Sequence, residues 1–151
     1  MVKKTKKIYL DVCTLCRPFD DQAMMRIRLE TDAYYLILQA VQNKKYDLIV
    51  SPVHFLEIDA MDDVEERYEV SALLKKFGVQ PSWDSAKTRQ RAEELYQMSF
   101  GAADAAHVAF AEAGADFFIT CDDKLLKKCG RIDTALKFAS PVNFIIEEDL
   151  K

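Results

Sequence analysis

Gly114-Ala115-Asp116-Phe117-Phe118-Ile119-Thr120-Cys121-Asp122 is the stretch whose reading decides the fold. A glycine ends a helical pattern, Phe117, Phe118 and Ile119 follow as an uninterrupted apolar row within a strand expected over Asp116 to Thr120, and a carboxylate stands just beyond. A strand without a polar alternation has no solvent face, so it belongs in a parallel sheet covered on both sides. The same signature recurs twice upstream. Ile8, Tyr9 and Leu10 form a run over Lys7 to Val12 that ends at Asp11, and Leu48, Ile49 and Val50 form another within Asp47 to Ser51.

Between these runs the pattern is helical. Ala33, Ile37, Ala40 and Val41, with Tyr34 and Leu38 beside them, recur near a 3.6-residue period. They predict a long helix to about Asn43, with Asp20 or Asp21 as its N-cap. Pro52 suits the first position of the next helix. Asp62 with Glu65 resembles a capping box for a third, whose core stripe is Val70, Leu73, Leu74 and Phe77 and which Gly78 stops. Val79 to Trp83 reads as a linker or edge strand. Asp84 caps a fourth helix to about Met98, and Ser99 or Gly101 opens an alanine-rich fifth ending at Gly114. A short helix is expected over Asp122 to Cys129 and a last strand over Val142 to Ile146. Strands alternating with helices give a three-layer α/β/α domain with a central parallel sheet. In such sheets ligands bind beyond the carboxyl ends of the strands, where strand order reverses. If the strands before Asp11 and Asp122 are neighbours there, two carboxylates meet at that place.

The chain has 151 residues, 50% of them hydrophobic and 30% charged. That suits a single domain over 1–151 with one sizeable core. No run approaches the roughly 20 apolar residues of a membrane span, and Ile8 to Val12 is too short for a signal-peptide core. A cytoplasmic location is the expectation. A net charge of -4 and a pI near 5.2 exclude a broad basic surface as the route to nucleic acid. They leave room for local basic contacts around an acidic centre, for which Lys3, Lys4, Lys6, Lys7, Arg17, Lys124, Lys127, Lys128 and Arg131 are candidates. For most of these a solvated surface is the ordinary reading.

Four acids stand out. Asp11 and Asp122 each have a plain alternative as helix caps, and Glu57 has one as a surface residue. Asp104 is harder to dismiss. It lies within Gly101-Ala102-Ala103-Asp104-Ala105-Ala106-His107, where small residues allow close helix packing, and a buried carboxylate is costly unless paired, hydrogen-bonded or metal-bound. Carboxylates gathered in one cleft repel, and at least one pKa rises unless a cation is present. All-oxygen donors suit Mg²⁺ or Mn²⁺.

Taken in order, Tyr9-Leu10-Asp11, Phe55-Leu56-Glu57-Ile58, the Asp104 segment and Phe118-Ile119-Thr120-Cys121-Asp122 resemble a PIN domain, the family that includes the VapC-like toxin ribonucleases. The resemblance runs from Ile8 to about Leu126. It implies that Asp11, Glu57, Asp104 and Asp122 are catalytic metal ligands, that Thr120 is the polar residue beside the fourth acid, and that bound Mg²⁺ or Mn²⁺ supports hydrolysis of RNA phosphodiesters by water. It also implies a homodimer and, for toxins, a small antitoxin partner over the cleft. Two departures stand out: Val12 follows the first acid where many such toxins have Ser or Thr, with Thr14 nearby, and Asp123 follows Asp122 as a rival fourth acid. Cys13 to Asp21 resembles a largely uncharacterised subgroup with Arg-Pro-Phe-Asp-Asp after the first strand. There Arg17 is a candidate phosphate contact, with an ion pair to Asp20 or Asp21 as its plain alternative.

Other classes compete. A non-catalytic PIN fold for RNA binding or assembly is the runner-up, though such scaffolds often lose some of the acids. A flap-cutting DNA nuclease would need insertions that this chain lacks. Cys13-x-x-Cys16 after a strand suggests a thiol oxidoreductase, and Cys13, Cys16, Cys121 and Cys129 suggest a zinc site, but the spacing of eight between the last two is poor for one. His107, three residues after Asp104, could steady a metal-bound carboxylate. A partly buried structural histidine is the ordinary reading of both His107 and His54.

Overall fold

The computed structural model describes residues 4–151. Five parallel strands form one sheet in the order β3-β2-β1-β4-β5: β1 Lys6–Leu10, β2 Tyr46–Ile49, β3 Gly78–Val79, β4 Phe117–Ile119 and β5 Lys137–Ala139. The apolar rows explain why β1 and β4 pair at its centre. Ile8, Tyr9 and Leu10 stand opposite Phe117, Phe118 and Ile119, and successive side chains leave the sheet on opposite faces. Ile8, Leu10, Leu48, Val50, Phe117 and Ile119 enter one core. Tyr9, Ile49 and Phe118 enter the other. Each run is therefore apolar throughout because both faces are covered.

Helices supply the two outer layers. On the first face lie α2 Met25–Gln42, α4 Val64–Phe77 and α8 Pro141–Glu147, contributing Tyr34, Ile37, Val70, Leu74 and Phe144, with Leu15 of α1 Val12–Leu15 and Ile58 of α3 Pro52–Asp59. On the second face α5 Ser85–Gln97, α6 Ala102–Gly114 and α7 Asp123–Cys129 contribute Leu95, Ala105, Val108 and Leu125. Fully burying one Leu or Ile side chain stabilises by roughly 1.5–3 kcal/mol, so the two cores together pin the sheet from both sides. The three-layer α/β/α architecture with its parallel sheet is as the sequence predicts. Among the described residues no helix is long and apolar enough to cross a membrane.

Local departures have local causes. Val142 to Ile146 is not a strand. Ser140 caps a helix there by accepting from the Asn143 amide at 3.1 Å, Pro141 fits its first turn, and Pro141 and Phe144 bury one face; the last strand is the Lys137–Ala139 row just before. A five-residue stretch with four apolar residues does not by itself distinguish strand from helix, and the Ser-Pro start signal decides it. The long helix begins at Met25, not after Asp21. Asp21 accepts from Ala23 N–H at 3.0 Å in a preceding turn, and Asp20 faces Arg17. The third long helix is capped one residue later than expected, by Asp63, which accepts from Glu66 N–H at 3.0 Å. The short α1 and the 3-10 turn Arg17–Phe19 lie where the sequence offered no periodicity.

Gly78 ends α4 and opens β3 within one residue. A methyl group at its Cα would stand 2.3 Å from the Leu74 carbonyl oxygen and 2.4 Å from Val50 Cγ2. Gly78→Ala is expected to destabilise by about 2–4 kcal/mol through this overlap, read as a lower urea midpoint with unchanged m-value.

Candidate metal centre

The strand order reverses between β1 and β4, and the chain leaves both strands at the same end of the sheet. Asp11 follows β1 and caps α1. Asp122 follows β4 by three residues and caps α7, accepting from the amides of Lys124 at 3.0 Å and Leu125 at 3.2 Å. Glu57 comes from α3, entered from β2, and Asp104 from the first turn of α6. The four predicted acids thus come to the same end of the sheet, and their charges act on Asp104. Burial first, then the charges of Asp122 and Asp11, and further that of Glu57, hold the Asp104 carboxyl above its ordinary value, with His107 acting the other way.

Asp11 is 6% exposed. Its Oδ1 accepts from the Thr14 hydroxyl at 2.8 Å, the Thr14 amide at 3.2 Å and the Cys13 thiol at 3.1 Å; its Oδ2 accepts from Thr120 Oγ1 at 2.5 Å. Burial raises its pKa, and the bonds from Thr120, Thr14 and Cys13 pull it back. Thr120 does more than sit beside the fourth acid. Its hydroxyl donates to Asp11 and accepts from the Asp122 amide at 3.0 Å, tying the first and fourth acids together. Thr14, two positions beyond Val12, brings a hydroxyl to the first acid.

Asp123 faces outward. Arg26 grips it through both guanidinium nitrogens at 2.8 Å and holds its carboxyl below the ordinary value. Asp122 is the acid whose charge reaches Asp104. Arg17 is turned inward: it contacts the buried Glu30 at 3.0 and 3.2 Å and Asp20 at 3.0 Å, so its donors meet protein carboxylates. Among the basic candidates, Lys6 and Lys7 open β1, and a five-residue strand places them about 13 Å from its other end. Lys6 pairs with Glu148 at 2.9 Å. Lys124 stands exposed in the first turn of α7, next to the acids, while Lys3 lies outside the described residues.

The cysteines are all free. Cys16 is buried in the first core and Cys129 in the second, on opposite faces of the sheet, so the four thiols cannot surround one zinc ion. Cys13 is an exposed residue whose thiol is nonetheless hydrogen-bonded to Asp11, and contact with Cys121 and the charge of Asp11 push its pKa up, the reverse of what a thiolate nucleophile needs.

A buried polar cluster on the Tyr9 face joins the two histidines weighed above to Tyr9 and Ser51, for which the sequence suggested no role. Tyr9 Oη lies 2.7 Å from Ser51 Oγ and 2.5 Å from His107 Nδ1, and His107 Nε2 contacts Glu57 Oε1. His54 accepts from the Ser51 amide at 3.0 Å through Nδ1, which leaves Nε2–H to donate to the Leu10 carbonyl at 2.7 Å. A Tyr inside an apolar strand run was the available signal, since a buried phenol usually finds a partner.

The donor set fits a hard cation: three aspartates, one glutamate and a threonine hydroxyl, all oxygen. Among the described residues no three His, Cys, Asp or Glu side chains stand close enough together to hold a metal ion as they are placed. Asp11, Glu57 and Asp122 each accept protein hydrogen bonds; both Asp11 oxygens are engaged, whereas Glu57 Oε2 and Asp122 Oδ2 are left over, so an ion would draw on these two, on Asp104 and on remaining lone pairs of Asp11. No family model and no curated protein matches the chain.

Because Asp104 is held in a carboxylate-rich crevice above its ordinary pKa, its charge disfavours folding at neutral pH. Asp104→Asn is expected to raise the melting temperature at pH 7. A decrease in calorimetry would contradict this electrostatic account. His54 gives a second expectation. Burial, then the His107 charge, lowers its pKa from 6.5 to about 3. Between those values the unfolded chain binds the extra proton and the folded one does not, so this contribution is complete above pH 6.5 and is lost as pH falls towards 3. His54→Asn, which keeps an acceptor for the Ser51 amide, should be less stable at pH 7 and show a shallower fall in urea midpoint from pH 6.5 to 4.

Proposed function

We propose that the protein is a metal-dependent ribonuclease that uses Asp11, Glu57, Asp104 and Asp122 to hold Mg²⁺ or Mn²⁺. The observation that carries this reading is the meeting of four acids from four separate elements at the strand-order reversal, with Asp104 feeling the charge of the other three. A protein gains nothing in stability from such a gathering; the arrangement makes physical sense when a cation and a phosphate are to be bound. The likeness of the acid pattern to PIN-domain nucleases points the same way.

The chain's own residues then have definite tasks. Thr120 and Thr14 orient Asp11 and offset part of the burial that raises its pKa, through hydrogen bonds to the carboxylate worth roughly 1.5–3 kcal/mol each. The α7 amides orient Asp122 and leave its second oxygen free. Asp104 projects from the first turn of α6, where the helix dipole favours negative charge. When bound, the ion would lower the pKa of a coordinated water and neutralise charge on the phosphate under attack. RNA is preferred to branched DNA because the connections around the crevice are short, with no insertion to grip a junction. A homodimer and an antitoxin covering the crevice extend the same reading.

The test is cleavage of a mixed RNA pool with Mn²⁺, with Mg²⁺ and with EDTA, by the wild type and by Asp104→Asn and Asp122→Asn. Cleavage only with metal, and a fall in kcat of about 100-fold or more in each variant, is expected. Metal-independent cleavage, or variants as active as the wild type, would refute the assignment.

A further inference from the structure

We propose that Ser51, Tyr9 and His107 form a buried hydrogen-bonded chain that fixes the carboxylate of Glu57 for the divalent cation, which makes Tyr9 and His107 positioning residues of that centre. The inference rests on reading the four acids as a cation site.

The members come from three separate parts of the fold, and each is inaccessible: Tyr9 and Ser51 are 0% exposed and His107 2%. Burying a hydroxyl, a phenol and an imidazole together is unfavourable unless every donor finds an acceptor. Here the directions are set from both ends. An ionised Glu57 only accepts, so His107 Nε2 must carry the proton that faces it. In its neutral form, distinct from the charged form whose field reaches Asp104 and His54, the imidazole presents Nδ1 as an acceptor. The Tyr9 hydroxyl, 2.5 Å away, supplies its proton, and Ser51 Oγ at 2.7 Å donates to Tyr9 in turn. Ser51 is itself held by His54, whose Nδ1 accepts from the Ser51 amide and whose ring lies 4.5 Å from that of Tyr9. Tyr9 cannot drift, because it stacks on Phe118 at 5.6 Å within the sheet core.

The chain ends on Glu57, whose side chain is 36% exposed and is its one carboxylate. On the open face of α3, an unrestrained glutamate would sample several rotamers. His107 takes Oε1 and leaves Oε2 without a hydrogen bond from the described residues, while the Glu57 charge reaches Asp104. Packing alone does not call for this: an apolar residue at 107 would fill the same space among the core residues of α6 without satisfying anything.

The test pairs a tautomer measurement with a metal titration. In the metal-free protein at pH 8, long-range ¹H–¹⁵N imidazole spectra should show His107 protonated at Nε2 and bare at Nδ1. Mn²⁺ titration followed by calorimetry should then give dissociation constants weaker by about 10–100-fold for His107→Leu, within about 3-fold of wild type for His107→Gln, whose amide still donates to Glu57, and in between for Tyr9→Phe. An Nδ1–H tautomer for His107, or equal Mn²⁺ affinity in wild type and Tyr9→Phe, would overturn the positioning role, even if His107→Leu fails to fold. A wild type with the expected tautomer that binds no Mn²⁺ would instead overturn the cation reading, and the positioning role with it.

Discussion

A carboxylate buried at the end of the central strand is the constraint around which this structure is arranged. Asp11 sits where two apolar strands stop and water is nearly excluded. An ionised group in such a place costs several kcal/mol unless its oxygens are answered. The fold answers them with neutral donors alone: two threonine hydroxyls, a backbone amide and a thiol. These donors orient the charge without cancelling it. Three further acids lie in reach of it, and the charges of Asp122, Asp11 and Glu57 all act on Asp104.

The rest of the architecture can be read as support for that arrangement. Parallel pairing of β1 with β4 places Asp11 and Asp122 on adjacent strand ends, and Thr120, the residue after β4, bridges them. The alanine-rich face of α6 lets Asp104 and His107 approach the sheet closely, with Ala105, Val108, Ala109 and Ala111 packed beneath. Cations near the site are kept from collapsing onto it: Arg26 is taken by Asp123 and Arg17 by Glu30 and Asp20. Stability and site are thus in tension at Asp11 and Asp104, and the two hydrophobic cores on either side of the sheet carry that cost.

Much of this was legible in the residues. Continuous apolar runs gave the parallel sheet because burial on both faces removes the polar alternation. The Pro52, Asp84, Gly101 and Gly78 signals placed helix ends because capping chemistry is local. Asp11, Glu57, Asp104 and Asp122 could be singled out, and the topology brings them to the same end of the sheet. Other features depend on contacts that spacing does not encode. Val142 to Ile146 has strand-like composition, but its Ser140-Pro141 start and the burial of Phe144 make it a helix. For Arg17 the sequence offered a phosphate contact or an ion pair to Asp20 or Asp21; it pairs with Asp20 and also with Glu30, which its spacing did not suggest. Tyr9, Ser51 and His54 gave only faint signals, since their hydrogen bonds join positions 42 to 98 residues apart.

The central claim is that these four acids form one cation site. Paramagnetic broadening by Mn²⁺ of assigned backbone amide resonances tests it most directly, because broadening reports distance from the bound ion. The account predicts that substoichiometric Mn²⁺ first removes the signals of Asp11, Glu57, Asp104 and Asp122 and their immediate neighbours, while β3 and the start of β1 stay sharp. Broadening centred instead on the exposed acids at the start of α4, or spread evenly over the surface, would contradict it.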